Sequence, residues 1–196
     1  MVEKEQENAK MLVSGKALIP MPKFVTKNFG KQGLERWLDA ISVEAHRVFI
    51  FPIKQTGWYP LHDTLIKPTA NIAQLFYNWD LKKAAWDLGR FSADCGLTNV
   101  YKLFVKLGPT EFFFTKATEF LTSYYQPSAI KVVEVKNSSG IFRITEFPEM
   151  DKAVEYRIAG WVQRALEING RKNVKIEIPK SLTNFKPYSE FRVSWV

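Results

Sequence analysis

One cysteine and two histidines in 196 residues leave little room for metal or redox chemistry. Cys95 excludes an internal disulfide and a cysteine-rich zinc cluster, and is expected to be a small buried thiol. His46 and His62 stand outside any HxxxH or HxH spacing, so neither is expected to hold a metal. Long apolar runs are missing too. Those around Val48 to Ile53 and Glu111 to Leu121 fall short of the ~20 residues of a spanning helix, and MVEKEQENAK has no signal-peptide pattern. A soluble, cytoplasmic chain without a transmembrane segment is expected. There is no GxSxG elbow, no GxxxxGK(S/T) phosphate loop and no motif pairing a serine with either histidine. Glu146, Glu149 and Asp151 sit near a helix start, where interaction with the helix dipole explains them. With no catalytic constellation left, the expectation is that the protein is not an enzyme.

Positive charge is plentiful but dispersed. Lys and Arg number 28 against 20 Asp and Glu, a net +8, yet they form only pairs such as Lys82-Lys83 and Arg171-Lys172. Without an arginine-rich run or a nucleic-acid module, the excess reads as a solvated surface, and no nucleic-acid partner is expected. At 46% hydrophobic the chain is long enough for one packed core. It divides into a flexible tail, residues 1–12, whose Met1 to Lys10 part is charged and aperiodic, and a single domain, residues 13–196.

Periodicity gives the elements. Pro22 to Phe29 and Gln32 to Ile41 are helical in pattern, with Gly30 and Gly33 at the break. VFIFPI, Val48 to Ile53, is β-branched and aromatic, and Pro52 makes it an edge strand or an extended connection. Pro68 to Tyr77 and Leu81 to Asp94 are helical, the second placing Leu81, Ala85, Leu88, Ser92 and Cys95 on one face before Gly96 ends it. Pro109 opens another helix, EFFFTKATEFLTSYY, with six aromatics in fifteen residues and a stripe of Phe114, Thr118, Leu121 and Tyr125; Gln126-Pro127 closes it. The period then changes to two: IKVVEV and GIFRITEF flank NSSG as a hairpin. A helix through Val154, Ile158, Trp161, Ala165 and Ile168 ends at Asn169-Gly170, and VKIEI and FRVSW alternate again. The fold class is α+β: an N-terminal helical part followed by a strand-strand-helix-strand-strand antiparallel sheet packed on helices.

GKALIPMPKFVTKNFGKQGLERWLDAISVEAHRVF, WDLGRFSADCGL, the aromatic helix and the ending with GWVQRALEINGRKNVKIEI together resemble the haem-nitric-oxide/oxygen-binding (H-NOX) domains. They are equally similar to the wider ligand-binding superfamily of four-vinyl-reductase domains, Golgi-transport TRAPP subunits and a myxobacterial paralogous family. The resemblance runs from about Gly15 to Trp195 and rests on element order and scattered residues such as Gly89, Gly160 and Gly170. In haem-binding members it implies a proximal histidine on the aromatic helix, where Thr118 stands here. It also implies a Tyr-x-Ser-x-Arg grip on the propionates, where this chain has Phe147-Pro148-Glu149-Met150-Asp151. Threonine is no axial ligand and Asp151 repels a propionate, so no haem or other cofactor is expected.

What the resemblance then implies is a non-haem sensory or ligand-binding domain. Its pocket candidates are Phe114, Thr118, Leu121, Tyr125 and Phe147, its ligand a small apolar molecule, and its output a signal to a partner protein. Such an apolar face equally packs as ordinary core. The alternative is therefore an interaction or homodimerisation module with a filled core, carried by aromatics such as Trp58, Tyr59 and Trp79. A haem-binding gas sensor and an enzyme acting on a tetrapyrrole carry less of the sequence.

Overall fold

The computed structural model describes residues 10–97, 114, 119 and 121–196. Met11 is fully buried, and its backbone is bonded on both sides. Its N–H donates to Glu149 Oε1 at 3.2 Å, and its carbonyl accepts from Leu61 N–H at 2.9 Å. β1 (Leu12–Ser14) follows at once. The tail expected over residues 1–12 is corrected at its end: the apolar run Met11-Leu12-Val13 finds strand partners and a core. Residues 1–9 lie outside the described residues.

Ser14 turns the chain into α1 (Gly15–Leu18), its hydroxyl accepting Lys16 N–H at 3.3 Å. α2 (Pro20–Ala40) begins with proline, whose missing N–H has no helical partner there anyway. It kinks at Gly30, where φ is 72° and ψ −176°, at the break expected from the sequence. α3 (Val43–Ile50) replaces the first part of the expected strand VFIFPI; only from Phe51 (φ −105°, ψ 160°) is the chain extended. β-branched propensity loses to tertiary context there. Ser42 caps the helix by accepting Ala45 N–H at 3.2 Å, and Ala45 and Phe49, one turn apart, are buried together.

β2 (Trp58–Pro60) pairs antiparallel with β1, a π-helical turn (His62–Ile66) leads into α4 (Lys67–Phe76), and α5 (Leu81–Gly96) is capped by Asp80, which accepts Lys83 N–H at 2.9 Å. Leu88 and Ser92 are buried on α5, but Cys95 is exposed, which corrects the expected buried thiol. Leu121 and Thr122 are helical, and Ser123 and Tyr124 form a turn. Tyr125 therefore belongs to β3 (Tyr125–Gln126), not to the aromatic helix, and pairs with Val13 on the other edge of β1.

β4 (Ala129–Lys136) and β5 (Ser139–Glu146) form the expected hairpin, α6 (Lys152–Ile168) follows, and β6 (Lys175–Lys180) and β7 (Ser189–Ser194) complete an antiparallel sheet of order β4-β5-β7-β6. The class is α+β, as the sequence implies. Phe142 and Phe191 are directly opposite in the β5–β7 register, their rings stacked 4.7 Å apart on the buried face. Asp151 caps α6 by accepting Ala153 N–H at 2.7 Å, the ordinary role for an acid at that position. Of the surface aromatics, Trp58 and Trp79 are exposed, while Tyr59 is half-buried with its hydroxyl accepting Lys54 N–H at 3.1 Å.

α5 and α6 cross with their backbones in contact. A Cβ on Gly89 would lie 2.1 Å from the Arg157 carbonyl oxygen, and one on Gly160 would lie 2.1 Å from the Trp86 carbonyl oxygen. Each glycine thus admits the other helix's main chain, an approach no side chain permits. Beside the crossing, Arg90 grips Glu167 bidentately at 2.7 and 2.8 Å, and Arg164 bridges Glu167 to Asp94.

Two outcomes are expected. Gly89→Ala and Gly160→Ala each lower the unfolding free energy, read by urea denaturation, by about 1–3 kcal/mol, because backbone overlap outweighs the ~1 kcal/mol gain in helix propensity. The hydrogen bond from Arg90, then that from Arg164, hold Glu167 below its ordinary value against the opposing effect of burial. A depressed carboxylate stabilises the fold fully above its unfolded value, about 4.3, and less as pH falls through the folded value. The stability gap between wild type and Glu167→Gln is therefore open at neutral pH and closes on acidification below about pH 4.

Candidate functional site

The buried side of α6 carries Val154, Ile158 and Ala165, and Arg157 lies among them. An arginine on such a stripe normally runs its stem along the surface and keeps its head in water. Arg157 is only 2% exposed. The glycine crossing sets its backbone against α5, and from there its Nη2 donates to the Ala17 carbonyl of α1 and to Ser92 Oγ of α5, the latter at 3.1 Å. The Ser92 hydroxyl donates to the Leu88 carbonyl at 2.8 Å, which orients its oxygen toward the guanidinium. Nη1 has no protein acceptor, and no Asp or Glu among the described residues pairs with this charge.

Burial pulls the guanidinium below its ordinary value, against the opposing influence of Tyr125 and Tyr124. Arginine starts so high that it remains charged at neutral pH. Burial likewise raises the Tyr125 phenol, with the Arg157 charge acting in the opposite direction. Both effects mark a poorly solvated, positively charged place.

A partly enclosed recess opens there. Arg157 and Ser92 share it with Leu121, Tyr125, Ile158 and Trp161, and a water-sized sphere can place its centre over about 30 Å³. That is room for a small polar group, well below the ~300–1,000 Å³ of a pocket for a drug-sized ligand. A second groove, about 230 Å³, lies between α2 and α5 along Phe24, Lys27, Asp87 and Arg90. It mixes both signs of charge, and Lys83 already binds Asp87 at 2.9 Å.

Of the residues expected from sequence, Leu121 and Tyr125 line the recess, and Phe147 is buried behind Tyr125 with ring centres 5.4 Å apart. Phe114 goes elsewhere. Its ring packs on the backbone of Gly140 in β5 and lies 6.0 Å from Trp195, so it closes the sheet's buried face. Thr118 lies outside the described residues. Arg157 and Ser92 were not among the sequence candidates, although an arginine between Val154 and Ile158 on an apolar stripe is itself a signal.

The chain matches no protein-family model and no curated protein sequence. Solved structures do match. The Fe(II) unliganded H-NOX protein from K. algicida superposes with a TM-score of 0.69 at 9% identity, covering 93% of this chain and 96% of that one. An H-NOX protein from S. oneidensis in the Fe(II)NO ligation state gives 0.68 at 13%, covering 93% and 99%. The IWP-051-bound H-NOX from Shewanella woodyi gives 0.64 at 9%, covering 93% and 94%. The fold is H-NOX-like over almost the whole chain.

Replacing Arg157 with methionine removes a buried charge that no carboxylate among the described residues offsets and keeps most of the volume. By the usual behaviour of buried charges replaced with apolar side chains, Arg157→Met is expected to leave the ligand-free protein as stable as wild type or more so in thermal and urea unfolding.

Proposed function

We propose that the chain is a non-haem ligand-binding domain of the H-NOX-like fold, acting as a sensor without catalysis and passing its bound state to a partner protein. The observation that carries this reading is Arg157: a buried cation with an unmatched Nη1, held at a recess with apolar walls. A filled interaction module gains nothing from such a group, because an unpaired buried charge costs stability. A binding site gains a fixed polar anchor from it.

The residues present do not fit a haem. His62 is 56% exposed and 3.5 Å from Asp63, His46 is half-buried on α3, and neither lines the recess. The recess also admits far less than a macrocycle, which argues against a tyrosine-ligated haem there as well. Among the described residues no group of three or more His, Cys, Asp or Glu is placed to hold a metal. No helix among the described residues is long and apolar enough to cross a membrane.

The absorption spectrum of the protein purified from haem-replete cells tests the proposal. The expected spectrum has no Soret band, and a stoichiometric band lost on replacing His46 or His62 would overturn the haem-free assignment.

A further inference from the structure

We infer that the recess receives a carboxylate borne on a short apolar chain, with Arg157 Nη1 as the group that binds it. This rests on the ligand-binding reading above and adds the chemical class of the ligand.

The other buried charges show how this chain treats ions it keeps for structure. Glu155, fully buried, accepts from Lys152 Nζ at 3.0 Å and from the Ser189 hydroxyl. Glu190, 2% exposed, is bound by Arg143 at 2.8 Å and Arg192 at 2.9 Å. Each has a counter-charge within hydrogen-bond reach. Arg157, equally buried, has only a neutral carbonyl and a hydroxyl, both on Nη2. The counter-charge missing among the described residues is a property the ligand can supply.

Charge and size select it. One guanidinium balances one negative charge, which favours a monoanion over a phosphate dianion. Both N–H groups of Nη2 are engaged, so the carboxylate is bound through Nη1, and a hydrogen bond between charged groups in a dry site is among the stronger ones. About 30 Å³ accommodates a head group and little more. The remaining lining, Ala17, Leu121, Tyr124, Tyr125, Ile158 and Trp161, is carbon-rich and suits an aliphatic tail leaving the head group.

Isothermal titration and thermal shift with sodium octanoate, n-octanol and inorganic phosphate test this on the full chain. Octanoate is expected to bind and raise the melting temperature, octanol and phosphate to do neither, and Arg157→Met to weaken octanoate at least about tenfold while keeping its own cooperative transition. Should that variant fail to fold, Leu121→Trp, which fills the recess without touching the charge, is expected to abolish octanoate binding. Equal binding of octanol and octanoate would overturn the carboxylate assignment and leave an apolar ligand site. Phosphate binding lost in Arg157→Met would overturn it in favour of an oxyanion site without a tail. Octanoate binding unchanged in both variants would place it elsewhere and overturn the proposal. Absence of any shift with all three probes would overturn it as well. Only this last result, extended to a library of apolar compounds, would also remove the ligand-binding reading.

Discussion

The contact between the α5 and α6 backbones at Gly89 and Gly160 governs the geometry of the site. Two helices with side chains at those positions would stand further apart, and the space between them would fill with those side chains. Here the carbonyls of Trp86 and Arg157 occupy the places where Cβ atoms would be. Arg157 therefore starts its side chain at the surface of α5, within reach of Ser92 one turn along and of Ala17 beyond it. Burial of the guanidinium follows from the crossing. The Arg90–Glu167–Arg164–Asp94 network ties the same two helices together at the more exposed side, where ions keep part of their hydration and cost less to fix.

Buried charge is treated in two ways among the described residues. Glu155 joins α6 to the β6–β7 connection through Lys152, Ser181 and Ser189, with Lys152 as its counter-charge. The Glu190 carboxylate is held by two arginines on the sheet, and their hydrogen bonds keep it below its ordinary value although burial acts the other way. These groups are compensated and fix the packing of their surroundings. Arg157 has no counter-charge among the described residues, in the part of the fold where β1, α1, α5, α6 and the Leu121–Tyr125 turn converge. The H-NOX-like architecture is thus found at 9–13% identity to the structures it matches.

Strong, long-range periodicities were legible in the sequence because one energetic cause dominated each. The hairpin, the closing strands and α6 read correctly, since alternation and a 3.6-residue stripe each reflect a single buried face. The Gly30 break and the Asn169-Gly170 helix end were equally visible, through backbone conformations that glycine alone adopts readily. Short elements misread wherever contacts distant in sequence decided the outcome. Met11 and Leu12 became core and strand because β2 and β3 lie on either side of them, and Val48 to Ile50 became helical because Ser42 caps and Phe49 packs on Trp37.

The sequence by itself determined the α+β class, the order of the principal elements and the scarcity of histidine, because these depend on residues near one another or on composition alone. Which aromatic lines a cavity and which fills the core was decided only by the tertiary structure. Phe114 and Tyr125 share one stripe in the sequence, yet one closes the sheet over Gly140 and the other joins β3 beside Arg157. The role of Arg157 was likewise fixed in three dimensions. A charge on an apolar stripe is stable at the surface with its head in water, and only the close approach of α5 removes that water and buries the guanidinium.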